Sequence, residues 1–295
     1  MDVPLIKDTE TKHILILGDD KQGKTDAIEN LLNQLKNEKV IIIDAVQESP
    51  LVQKYYTPRD HLMNPFDSRF PFWQETNTTN DHQTAAIEQR INKLCAAHLK
   101  PIQSQNQTPF SIQQWLLNPD ETSWLFFSLP HDKLQTYHPL LSYWLSLAIK
   151  TLMKPNNHQQ KIVWIVINDL LALDKLPELT AWLSANLSTN TTSPFCIVLG
   201  IPDITLWKEK YDRPQEVEHL FKSCATKIIF RQANYKNAAQ IASWMNTNKM
   251  QAGMQHSIIS QQKIVYPQTL VHLPDFVSYV ELPQYYPRIH IEWRK

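Results

Sequence analysis

The residues best suited to chemistry lie near the start of the chain, in Gly18-Asp19-Asp20-Lys21-Gln22-Gly23-Lys24-Thr25. This is a complete G-x-x-x-x-G-K-[ST] loop. Backbone N–H groups in such a loop, with the first turn of the following helix, cradle phosphates. Lys24 would neutralise β- and γ-phosphate oxygens, and the Thr25 hydroxyl would hold Mg²⁺. The spacing assigns Gly18, Gly23, Lys24 and Thr25 to nucleotide binding, with MgATP as the cofactor the motif admits. Asp19 and Asp20 add two carboxylates beside the expected phosphates, a like-charge penalty that Lys21 offsets in part. The plainer alternative is a tight strand-to-helix turn with an incidental lysine.

A hydrolytic site needs a second acidic element at the end of a buried strand. One carboxylate holds the metal's water shell, and a following Glu activates the attacking water. The matching stretch is Ile165-Val166-Ile167-Asn168-Asp169. Asn168 occupies the metal position without a charge, and Asp169 is one methylene shorter than Glu. Hard cations prefer charged oxygen ligands. Thr25 and Asn168 are therefore the nominal Mg²⁺ residues and Asp169 the nominal base, in a set that weighs against hydrolysis.

The elements that must position these residues follow from periodicity. His13–Leu17 reads as a strand, Thr25–Asn37 as a helix and Val40–Asp44 as a second strand, which makes a βαβ unit. Ser123–Phe127 reads as a strand feeding a long helix, with Tyr137, Leu141, Trp144, Leu145, Ala148 and Leu152 on one face. Lys161–Ile167 is almost continuously apolar, as a central parallel strand is. A helix over Leu176–Leu187, a strand Phe195–Leu199, a further helix, a strand Lys227–Arg231 and a helix Asn237–Met245 complete the alternation. Phe276–Leu282 and Arg288–Trp293, punctuated by proline, read as edge strands. The fold class is α/β, with a mostly parallel sheet and helices on both faces. Residues 1–75 form the first part of a P-loop NTPase core and 121–295 the remainder. Residues 76–120, rich in Asn, Gln and Thr with a helical pattern over Ala85–Leu99, form a small helical insertion.

Composition bounds the rest. The 29 basic and 29 acidic side chains cancel, so no basic excess marks a nucleic-acid partner. Cys95, Cys196 and Cys224 lie too far apart for a metal site and suit buried positions in a reducing compartment. Met1–Lys12 is polar and unlike a signal peptide, and no apolar run reaches the ~18 residues of a membrane span. The eleven histidines lack zinc spacing. His131 and His138 read as helix-end residues. Trp73, Trp115 and Trp207 lie in loop-like or amphipathic contexts that could anchor a partner, although core packing is the commoner fate of any single one.

Taken in order, the segments resemble the TraD-type coupling proteins of type IV secretion and conjugation. The phosphate loop is followed by Asn64-Pro65-Phe66-Asp67-Ser68-Arg69, similar to that family's N-P-F-D-x-R segment. Trp124–Ile149 resembles its strand and long helix, and Asn168 to Pro177 its D-E-[LF]-x-x-L-x-[KR]-L-P region. Gly200-Ile201-Pro202-Asp203 stands where the family has G-x-Q-S, and Pro274-Asp275 with Leu282-Pro283 resembles its closing segment. The resemblance implies a RecA-like P-loop NTPase fold and the family's insertion in reduced form. It aligns Arg231 with an arginine offered to a neighbouring subunit's nucleotide; a strand-end cap is the alternative. It also implies departures: Asn168 for the metal-site Asp, Pro202 for the sensing Gln, and no transmembrane anchor. The expectation is a cytoplasmic, non-catalytic subunit recruited to inner-membrane secretion machinery. Its partners would be other subunits of an anchored coupling complex and secreted protein substrates. A slow or partner-activated ATPase is the rival.

Overall fold

The computed structural model describes residues 13–19, 21–46, 50–71, 73, 89, 93, 110–119, 121–154, 162–186, 195–211, 214–253, 265–282 and 285–293. In chain order the first elements are β1 (Ile14–Leu17), α1 (Lys24–Gln34), β2 (Lys39–Asp44), α2 (Pro50–Tyr55), β3 (His61–Met63), α3 (Ile112–Leu117), β4 (Leu125–Ser128) and α4 (His131–Leu152). They continue as β5 (Val163–Ile167), α5 (Pro177–Asn186), β6 (Phe195–Ile201), α6 (Ile204–Tyr211), α7 (Pro214–Ser223), β7 (Thr226–Ile229), α8 (Tyr235–Gly253), α9 (Pro267–Val271), β8 (Val277–Leu282) and β9 (Tyr285–Glu292). Two compact units result: residues 1–34, 182–191 and 197–295 in one, and 35–181 with 192–196 in the other.

In the first unit β1 lies between β6 and β7, parallel to both, with Ile14 opposite Val198 and Thr226 and Leu17 opposite Ile201 and Ile229. All four β1 residues are buried, as a strand covered on both faces must be. Helix α1 turns Ala27, Ile28, Leu31 and Leu32 inward at i, i+1, i+4, i+5 spacing. β7 then pairs antiparallel with β8, and β8 with β9, so β9 forms the edge, whereas β8, also read as an edge strand, is paired on both sides.

In the second unit β2 runs between β4 and β5, with β3 beyond β4, all parallel. The face of α4 read from spacing is the buried one through Leu141, Trp144, Leu145, Ala148 and Leu152, while Tyr137 is half-exposed. Trp144 is fully buried, its ring 5.7 Å from Phe127, 6.1 Å from Phe70 and 6.2 Å from Trp73. Each such aromatic contributes about 1.5–3 kcal/mol by burial.

The tryptophans singled out as partner anchors are core residues: Trp73, Trp115 and Trp207 are 6%, 4% and 0% exposed. Core packing, the commoner fate of any single tryptophan, holds for all three. Trp115, for instance, donates to Ser123 Oγ at 3.1 Å and carries the Lys39 ammonium 4.7 Å above its ring. Lys39 is itself buried and donates to Trp115 O (2.5 Å), Leu116 O (2.9 Å) and Asn118 O (2.8 Å), the open carbonyls that end α3. Nearby in sequence, Trp73 and Phe110 form an isolated parallel bridge. Cys196 and Cys224 are buried, and burial pushes the Cys224 thiol up to about 12. The pattern Ala85–Leu99, Cys95 and Met1–Lys12 lie outside the described residues, Gln89 and Lys93 apart. Among the described residues no helix is long and apolar enough to cross a membrane.

Candidate functional site

The loop after β1 rests on one aromatic ring. Phe230 follows β7 directly, and its N–H donates to Leu17 O at 2.8 Å. A Cβ at Gly18 would stand 2.5 Å from Phe230 Cβ, and one at Gly23 2.7 Å from Phe230 Cε1. Gly23 also has φ +112°, a conformation that side chains disfavour. These two glycines, of four in the chain, let the backbone lie on the ring. The ends of the loop are tied: Gly18 N–H donates to Ile201 O and Asp19 N–H to Arg231 O, both at 3.3 Å.

Lys24, the first residue of α1, is buried and turns its ammonium back into the loop, donating to Gly18 O (2.5 Å) and Asp19 O (2.9 Å). These are bonds that phosphate oxygens could replace. Thr25 is half-buried, and its hydroxyl has no hydrogen-bond partner among the described residues. Asp19 is turned away from the loop interior by its bond from Ala233 N–H (2.8 Å), which lessens the repulsion expected from the sequence. Asp20 lies outside the described residues. Arg231 belongs to the same unit and pairs with Asp275 at 2.8 Å.

The second element, in the other unit, is arranged around a residue the motif search did not single out. Asn168 is buried, donates its N–H to Ile43 O (3.1 Å) and donates from Nδ2 to Asp44 Oδ1 at 3.2 Å. Asp44 ends β2, is fully buried and accepts Leu51 N–H (2.8 Å) and Val52 N–H (3.1 Å) on Oδ2, which caps α2. Burial raises its pKa against the pull of those donors and of Asn168. An aspartate at 168 would face a buried carboxyl, so the neutral amide suits its neighbour. Asp169 accepts Leu171 N–H at 2.8 Å and caps the single 3₁₀ turn Leu170–Ala172. The sequence did carry a signal for Asp44: a charged residue closing the apolar run Val40–Ile43.

Other polar clusters fix local structure. The Arg69 fork binds Asp67 through Nε (2.8 Å) and Nη2 (2.6 Å), holding that carboxyl below its usual range. Asn64, Asp67 and Arg69 line a cleft of about 380 Å³ with Val52, Ser128 and His131. His138 contacts Asp174 Oδ1 through Nε2 at 2.9 Å, and Ser142 Oγ donates to the His138 carbonyl, not to its ring, so no nucleophile is activated there.

A parallel strand-loop-helix core with an antiparallel tail is the architecture to set beside the comparisons. The profile of the family described as "Type IV secretion-system coupling protein DNA-binding domain" matches residues 1–88 and 75–293. The chain belongs to this family. Coupling protein TraD of Escherichia coli strain K12 is 23% identical over an alignment 388 positions long, gaps included, which covers 98% of this chain and 53% of TraD. This coupling-protein chain thus spans about half the length of the curated relative it matches. Plasmid coupling protein TrwB, solved with ADP and Mg²⁺, superposes with a TM-score of 0.72 at 15% identity, over 98% of this chain and 86% of that one. VirB4 of Thermoanaerobacter pseudethanolicus gives 0.54 at 15% identity, over 95% and 88%. The fold is that of the RecA-like P-loop NTPases.

Proposed function

We propose that this coupling-protein domain is a non-catalytic subunit of a type IV secretion coupling complex. In that role the NTPase fold serves as a rigid platform that recruits substrate proteins. The observation that carries the reading is the Asn168–Asp44 hydrogen bond. The strand end that would hold a metal's water shell is uncharged and committed to structure. Asp169, the only carboxylate beside it in sequence, caps a turn. Losing one group that stabilises the transition state costs about 10²–10³ in rate.

The residues present fit phosphates better than they fit hydrolysis. Gly18, Gly23 and Lys24 would hold the phosphates and Thr25 the Mg²⁺, which would supply charge neutralisation there. No group in the strand-end pair is free to orient a water. We extend the platform reading to position and partners: the cytoplasmic side of the secretion machinery, among other subunits of an anchored complex. Residues 76–120 are proposed as the family's insertion in reduced form. DNA, named in the family's description, is a poor match to a net charge of zero.

The deciding experiment is phosphate release from MgATP, with wild type beside Lys24→Ala, alone and with candidate secretion subunits. Turnover in the ~1–100 s⁻¹ range typical of phosphoryl-transfer enzymes such as kinases, abolished by the substitution, would overturn the non-catalytic reading. The second reading, a slow or partner-activated ATPase with Asp169 as base and Arg231 reaching a neighbour's nucleotide, is favoured by the intact loop and the available Thr25 hydroxyl. It requires a rise in turnover on adding a partner.

A further inference from the structure

We propose that Pro274–Phe276 is a latch on the phosphate loop, which must release before the loop takes a phosphate-bearing ligand. This rests on Gly18–Thr25 being a phosphate site. The latch closes through the N–H of Phe276, which donates to Gln22 O at 3.2 Å, in the middle of the loop. Among the described residues two non-glycines have positive φ: Lys21 (61°) and Phe276 (60°). One precedes the acceptor and the other is the donor, so backbone strain sits on both sides of a single bond. Such strain persists where surrounding structure enforces it, and it favours opening once that structure gives way.

The surroundings are visible. Asp275 pairs with Arg231 at 2.8 Å, and Arg231 O accepts Asp19 N–H, so the tail is linked to the start of the loop as well. Trp293 braces the latch from behind: its N–H donates to Phe276 O (2.7 Å) and its Nε1 to Ser278 Oγ (2.9 Å). Its ring is 6.1 Å from that of Phe230, on which both loop glycines rest. Inside the closed loop the Lys24 ammonium is spent on loop carbonyls, and the buried Gln22 Oε1 has no hydrogen-bond partner. An unsatisfied buried acceptor is a cost that loop movement would relieve.

A loop that opens before binding has an apparent affinity scaled by its open fraction. Loosening the latch therefore tightens ligand binding without adding any contact to the ligand. The test uses the full chain, with hydrogen exchange at the Gly18 and Asp19 amides, the loop N–H groups that donate to Ile201 O and Arg231 O, and calorimetric titration with MgADP. Asp275→Ala removes a partly exposed ion pair and is expected to raise both exchange and affinity about threefold. Phe276→Pro removes the donor and forbids the positive φ, for about tenfold in both. Should the proline variant fail to fold, the alanine variant still reports. Unchanged loop exchange in a folded variant overturns the latch, whatever MgADP does. Faster exchange with no MgADP binding in any variant overturns its role in ligand entry. Hydrolysis of ATP by a loosened variant would instead sink the non-catalytic reading and leave the latch standing.

Discussion

The phosphate loop has every residue of its motif, whereas the end of β5 has the amide of Asn168 where a metal site would want a carboxylate. The difference is instructive because Gly18, Gly23 and Lys24 each have a structural duty that needs no ligand. Gly18 and Gly23 let the backbone lie on Phe230, and Lys24 binds the carbonyls of Gly18 and Asp19. Three of the four motif residues are thus accounted for by packing and bonding within the loop. At the end of β5 the duty runs the other way: Asp44 needs a neutral hydrogen-bond donor, which Asn168 supplies and an aspartate would not.

The largest effect that would break this contrast is at Phe230. Phe230→Ala should destabilise by about 3–5 kcal/mol in urea unfolding. Gly18→Ala should cost about 1–3 kcal/mol in wild type and clearly less beside Phe230→Ala, because the clash is gone. Additive costs would show that the glycine is not there for the ring.

On the other side, Asn168→Asp should cost about 3 kcal/mol at neutral pH, with the loss shrinking in acid as the pair takes up a proton. Adding Asp44→Asn should recover part of it. A stable Asn168→Asp protein that releases phosphate faster would mean the strand end was poised for catalysis after all.

Acid should act on the two regions with opposite signs. His13, at the entry to β1, accepts Ile197 N–H on Nδ1, and burial lowers its pKa from 6.5 to about 4. The unfolded chain then binds more protons than the folded one between those values. The stability His13 contributes is complete above pH 6.5 and falls away toward pH 4, by about 3 kcal/mol at most. Asp44 has a raised folded pKa, so its contribution grows as pH falls. Thermal unfolding at pH 7 and 4.5 checks this, with His13→Asn expected to flatten the loss.

A last effect, comparable to that of Gly18→Ala, sharpens the loop side. With no nucleotide present, Lys24→Ala should still destabilise by about 1.5–3 kcal/mol, since it strips charged donors from two loop carbonyls. No change in stability would return the lysine to a purely ligand-binding role.

How much of this the sequence showed depends on the distance over which each feature is written. The loop motif, the βα alternation and the proline-marked tail strands are local patterns, and the structure places them within a few residues of where spacing put them. Asn168 and Asp169 were found for the same reason. Their partner was not: Asp44 is 124 residues from Asn168, and no periodicity links them. Phe230 likewise looked like one more apolar strand residue, although it dictates two glycines more than 200 positions earlier. The short elements β3, α2, α3 and α9 escaped because three to six residues hold too little periodicity, and their positions come from tertiary contacts.

Lys39 has a consequence for how this chain can change. Its three bonds to the end of α3, with the Trp73–Phe110 bridge, fasten the polypeptide on both sides of residues 74–109 to the sheet unit. Closing a longer or shorter segment between fixed ends costs only a logarithm of its length. That stretch is therefore a cassette: evolution can exchange its contents, and an experimenter can splice a reporter into it, while the strands beside it keep their register.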